Sequence, residues 1–137
     1  MPTVLADGIT LVAPNGSYGT GWIPVVKRVA TADATATVLW ASPAVAEGKV
    51  IMVQGKLVGR KSDATASTSA IFDGSARRAA AGNLTVTAAA TVTIKESNAA
   101  TAVTFTANTT PQTFDLAVTG IAAENWVWEV QLEYTIL

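Results

Sequence analysis

Three kinds of side chain in this 137-residue chain could carry chemistry: ten carboxylates, nine Lys and Arg, and four Trp. It contains no His and no Cys. Nucleophile pairs of the Ser-His-Asp or Cys-His kind are therefore excluded, as are the zinc sites built from those ligands. No disulfide can staple the fold. General acid and base work would fall to paired carboxylates. Glu129 and Glu133 lie on one face of an extended pattern, four residues and so ~13 Å apart. Glycoside-hydrolysing pairs need about 5–9.5 Å, so the two glutamates read as solubilising residues on an outer strand face. Asp115 and Glu124 are left open as more distant partners.

The remaining constellations are incomplete in similar ways. Asp73-Gly74-Ser75 lacks the alternating oxygen ligands and closing Glu of a calcium loop, and reads as a turn. Gly16, Gly19 and Gly21 in PNGSYGTGW lack the Lys-Ser/Thr and the following helix of a phosphate loop, and read as a flexible loop or arm. Arg77-Arg78 offers two guanidinium forks, suited to carboxylates on a neighbouring subunit or to a solvated loop. Trp22, Trp40, Trp126 and Trp128 would suit a sugar-stacking platform. However, Trp126 and Trp128 share a face with Val130, Leu132 and Tyr134, which favours burial. No cofactor and no metal site is expected.

The elements that must position these residues are strands. In NWVWEVQLEYTIL, the residues Trp126, Trp128, Val130, Leu132, Tyr134 and Ile136 alternate with Val127, Glu129, Gln131, Glu133 and Thr135. That is the period of a half-buried antiparallel strand, and its first five apolar members are the expected core anchors. Strands are also predicted over Trp22 to Val29 (with Pro24 confining it to an edge or bulge), over ATVLW up to Trp40, and over Lys49 to Gly59. In the last of these Gly55 marks a bulge or a close approach. Leu84 to Lys95 reads as two short strands around a small-residue turn, and AVTFTAN with TFDLAVTG as a hairpin around Asn108 to Pro111. Turn signals fall at Glu47-Gly48, Asp73-Gly74, Gly82-Asn83 and Gly120. Ala-rich Ala79 to Ala81 has no sustained helical stripe. The expectation is a single all-β domain, an antiparallel β-sandwich or jelly-roll-like fold over residues 22–137, preceded by a glycine-rich arm or first edge strand over residues 1–21.

Half of the residues are hydrophobic, yet only 7% are aromatic and 14% charged. A core of Ala, Val and Thr is thin, and contacts with other subunits would add apolar area. A net charge of −1 argues against a general nucleic-acid binder. No window approaches 18 apolar residues, and the aromatic girdles of a membrane barrel are missing, so no membrane partner is expected. The N-terminal stretch has no signal-peptide pattern. Charge is also segregated: in residues 49–95, Lys49, Lys56, Arg60, Lys61, Arg77, Arg78 and Lys95 outweigh Asp63 and Asp73 by five, whereas residues 96–137 hold five acids and no base. Such segregation pairs strands within one subunit or matches faces between neighbours. On the second reading Arg60, Lys61, Arg77, Arg78, Glu124, Glu129 and Glu133 are the partner-contact residues.

The stretch FDGSARRAAAGNLTVTAAATVTI, followed by TPQTFDLAVTGIAAENWVWEVQLEYTIL, resembles a β-rich module of bacteriophage virion proteins. In such modules a strand pair precedes a V-T-G-x-A turn, here Val118-Thr119-Gly120-Ile121-Ala122, and a final strand with alternating Trp closes the domain. The resemblance implies a structural virion component and carries over no catalytic residue. The expected role is a capsid decoration or cement protein, a homotrimer contacting the major capsid protein and assembled in the host cytoplasm. The alternative is a tail-fibre or receptor-binding module that holds host glycans on exposed Trp.

Overall fold

The computed structural model describes residues 21–87, 90–96 and 100–137. The glycine-rich arm, including Gly16 and Gly19, lies outside the described residues. Among the described residues nine strands follow one another: β1 (Ile23–Thr31), β2 (Ala36–Ala41), β3 (Lys49–Lys61), β4 (Ser67–Arg78), β5 (Leu84–Val86), β6 (Thr91–Glu96), β7 (Ala102–Asn108), β8 (Thr113–Thr119) and β9 (Trp126–Ile136). They form two antiparallel sheets packed as a β-sandwich. The larger has the order β1-β9-β3-β4, with β5 and β6 sharing the far edge of β4 end to end; the smaller is β2-β8-β7. No helix occurs among the described residues.

β9 forms as its alternation requires. Trp126, Trp128, Val130, Leu132 and Tyr134 are all buried, and the intervening residues face outwards. It is long enough to hold β1 on one side from Trp126 to Tyr134 and β3 on the other from Trp126 to Ile136. Pro24 sits in β1, an edge strand, where a missing N–H is tolerated. The hairpin around Asn108 to Pro111 joins β7 to β8, with the Asn108 side chain accepting the Thr110 N–H at 3.3 Å. β2 carries a register shift between Val38 and Trp40, which lets both Leu39 and Trp40 be buried.

The structure corrects one stretch. Asp73-Gly74 is not a turn but the middle of β4, and Arg77-Arg78 ends that strand rather than lying in a loop. β4 runs as a hairpin partner of β3 over twelve register pairs, with Thr68, Ala70, Phe72, Gly74 and Ala76 turned inwards. The turn sits earlier, at Ser62–Ala66, where Asp63 accepts both the N–H and the hydroxyl of Thr65. Alternation turns Gly74 to the core, where a Cβ would meet the Phe114 ring at 3.2 Å. Gly55 resolves as a close approach rather than a bulge: a Cβ would lie 2.7 Å from the Leu132 Cα, while β3 keeps its register with both neighbours.

The thin core is filled by rings. Trp126 and Trp128 stack with centroids 5.5 Å apart, and Trp40 meets Tyr134 at 5.4 Å across the two sheets. Phe105 bridges the sheets as well, edge-on to Phe72 at 5.3 Å and stacked on Phe114 at 4.9 Å. The two indoles of β9 donate, Trp128 Nε1 to Thr31 Oγ1 and Trp126 Nε1 to Glu124 Oε2, each at 3.0 Å. Their polar edges are thus satisfied without opening the core.

Candidate functional site

Register turns the alternation of single strands into rows on the outer face of the large sheet. One row runs Pro24, Glu133, Gln54, Asp73, Thr91; the next Val26, Gln131, Lys56, Ile71, Thr93; a third Arg28, Glu129, Val58, Ser69, Lys95. A depression of about 600 Å³ lies over the first two rows. A second of about 480 Å³ lies over the second and third. They share Lys56, Ile71, Thr93 and Gln131, so the face carries one continuous shallow groove across the strands.

The groove is apolar at points and charged between them. Val26, Val58 and Ile71 stay 63%, 50% and 69% exposed, and Ile71 lies between Lys56 and Thr93 in its row. Its acids are partly engaged. Glu129 Oε1 holds Arg28 Nη2 at 2.6 Å, and Glu133 Oε1 accepts Gln54 Nε2 at 2.5 Å. Lys56, Lys95 and Asp73 form no ion pair among the described residues. Glu133 has no cationic partner either, so among the described residues the face holds two lysines and two carboxylates outside any ion pair, in balance.

The residues expected to contact a partner are mostly used within the chain. Lys61 Nζ lies 3.4 Å from Glu124, whose other oxygen takes the Trp126 indole, and 3.7 Å from Asp63. Arg60 reaches the Ser62 carbonyl at 3.0 Å. Arg78 ties three segments together: it donates to the carbonyls of Gly82 and Val45 at 2.8 and 3.2 Å, and pairs with Glu47 at 3.6 Å. Arg77 is exposed at the end of β4 with no ion pair among the described residues. Part of the segregated charge thus joins strands of one subunit, β1 to β9 and the end of β3 to the loop before β9.

Asp115 stands apart from these groups. It is buried in the smaller sheet, accepting from Thr113 Oγ1 at 2.7 Å and Asn108 Nδ2 at 3.3 Å, which makes it a hairpin brace. Two aspartates in the connections are tuned. The Thr65 hydroxyl and N–H hold the Asp63 carboxyl below its ordinary range, and the Thr35 N–H, then its hydroxyl, do the same for Asp33. Of the four Trp, only Trp22 is exposed. Among the described residues no group of three His, Cys, Asp or Glu is placed to hold a metal ion.

Sequence reasoning missed the groove residues Gln54, Lys56, Ile71 and Lys95. Their signal is the outward half of the β3, β4 and β6 alternation, and reading Asp73-Gly74 as a turn hides the β4 part of it. Comparison with protein-family models and with curated protein sequences gives no match to this chain.

Proposed function

We propose that this chain is a non-enzymatic structural protein of a bacteriophage virion, and that it decorates the capsid by laying the outer face of its large sheet on the major capsid protein. One observation carries the reading: exposed Val26, Val58 and Ile71 are interleaved on a broad sheet face with Lys56 and Lys95, which form no ion pair among the described residues. Apolar residues kept exposed on a broad sheet face suit a macromolecular surface, and the lysines and carboxylates set between them suit complementary charges on it. The resemblance of the C-terminal half to virion modules points the same way. A glycan-holding module finds less support, because three of the four Trp are buried.

Co-sedimentation with purified capsids that lack the protein tests the proposal. The wild-type chain is expected to pellet with them, and Ile71→Asp with Lys56→Glu to stay in solution while keeping the wild-type melting temperature within a few degrees. Wild-type chain that remains in the supernatant overturns it.

A further inference from the structure

A sheet edge presents unpaired N–H and C=O groups, and proteins guard such edges with charge, proline, bulges or shortness. Four of the five edge strands among the described residues carry a guard. β1 has Pro24, Lys27 and Arg28; β2 is bulged; β5 has three residues; β6 carries Lys95. β7, AVTFTAN, has none. It is seven residues long, holds no charge and no proline, and pairs with β8 without a register shift. Its other side is unpaired among the described residues.

The direction of the free groups follows from the ladder. Ser42 donates its N–H to the Phe114 carbonyl, which turns Phe114 towards β2. By alternation Thr113, Asp115, Ala117 and Thr119 turn towards β7, where their partners are Asn108, Thr106, Thr104 and Ala102. The backbone groups of Val103, Phe105 and Ala107 therefore point to the open side.

We propose that β7 is the self-association edge of this chain, pairing antiparallel with β7 of a second copy about a two-fold axis at Phe105. In that register Val103 faces Ala107 of the other copy, so all three open N–H groups and all three open carbonyls on each side are satisfied. Thr104 faces Thr106 on the outer surface, and Thr pairs favour such positions. Nothing charged meets its like, which singles out a second copy as the occupant. The same operation on β1 would bring Lys27 and Arg28 against themselves. The smaller sheets then join into one sheet across the axis, and the unit is a dimer in place of the trimer expected from the sequence. The inference does not rest on the virion reading.

Light scattering on the purified full chain tests it. The expected mass is twice that of one chain. Thr104→Lys with Thr106→Lys places ammonium groups opposite one another across the axis, and should weaken the dimer by about tenfold or more without changing the circular dichroism spectrum. Val26→Lys, on the guarded edge, should leave the dimer intact. Because the chain has no Cys, a second measurement stands even if the lysine variant misfolds. Thr104→Cys with Thr106→Cys puts thiols on a non-hydrogen-bonded pair about 4.5 Å apart at Cα, within disulfide reach, and oxidation should yield a covalent dimer. A monomeric or trimeric wild type, a dimer that survives both lysines, or thiols that fail to cross-link would each overturn the proposal.

Discussion

The inner and outer faces of the large sheet are built from the same strands and take alternate residues of each, yet they solve opposite problems. Inwards, Trp126, Trp128, Leu132 and Phe72 are packed so closely that β3 opposes them with Gly55 and Gly59. Outwards, Ile71, Val58 and Val26 stand in water beside lysines. The difference teaches where tolerance lies. The inner face is fixed by volume, because a thin core of Ala, Val and Thr depends on a few rings. The outer face is fixed only by what it meets.

Removing a ring should give the largest effect. Trp128→Ala is expected to cost about 3–5 kcal/mol, since it empties a fully buried site and leaves Thr31 without its donor. Denaturant unfolding would read the loss as a lower midpoint. Ile71→Ala, on the same sheet but outwards, should stay within about 0.5 kcal/mol of wild type. Equal losses at the two sites would break the contrast between faces.

Adding volume inside should come next. In Gly55→Ala the new Cβ would sit 2.5 Å from the Gln131 carbonyl and 2.7 Å from the Leu132 Cα, backbone atoms that cannot swing away. The two strands must part locally, at about 1–3 kcal/mol. Gln54→Ala, one residue away and outwards, loses only its exposed bond to Glu133, and should cost less. If thermal melts rank the pair the other way, close approach of β3 to β9 is not what the glycine provides.

How much of this was legible in the sequence follows the same division. β9 could be read because large apolar and polar residues alternate over eleven positions, a local signal that needs no partner. β4 could not. Its inward residues are Thr68, Ala70, Gly74 and Ala76 with a single ring at Phe72, and its outward series contains Ile71, so small size hides the alternation and Asp73-Gly74 imitates a turn. The rows of the groove depend further on register between strands far apart in sequence, as when Lys56 meets both Ile71 and Gln131. No single strand states that register. The partner-contact residues depend on register in the same way: charge segregation is visible in the sequence, but that Glu129 meets Arg28 within the chain follows from β1 lying against β9.

Exposed charge on the outer face should matter little to stability. Glu129→Ala removes the Arg28 pair, whose side chains are 69% and 41% exposed, and should cost at most about 1 kcal/mol, falling further in high salt. A salt-independent loss of several kcal/mol would mean that the outer face also holds the sheet together.

The smallest effect should appear only on acidification. Asp63 has its carboxyl held below the ordinary 3.8 by the hydroxyl and N–H of Thr65. A carboxylate lowered in the fold stabilises it fully above the ordinary value, and that contribution fades as pH falls through the lowered one. Asp63→Asn keeps an oxygen acceptor but cannot titrate. Its deficit against wild type should therefore be present at pH 6 and shrink steadily below pH ~4. The Trp128→Ala deficit should stay flat over the same window, because an indole has no proton to exchange there. Melting temperatures of both variants from pH 6 to 2.5 would separate the titrating turn from the non-titrating inner face. A deficit of Asp63→Asn that grows in acid would mean that Thr65 does not favour the charged form, and the turn would then have to be held by its backbone, with Ala64 at positive φ, rather than by its carboxylate.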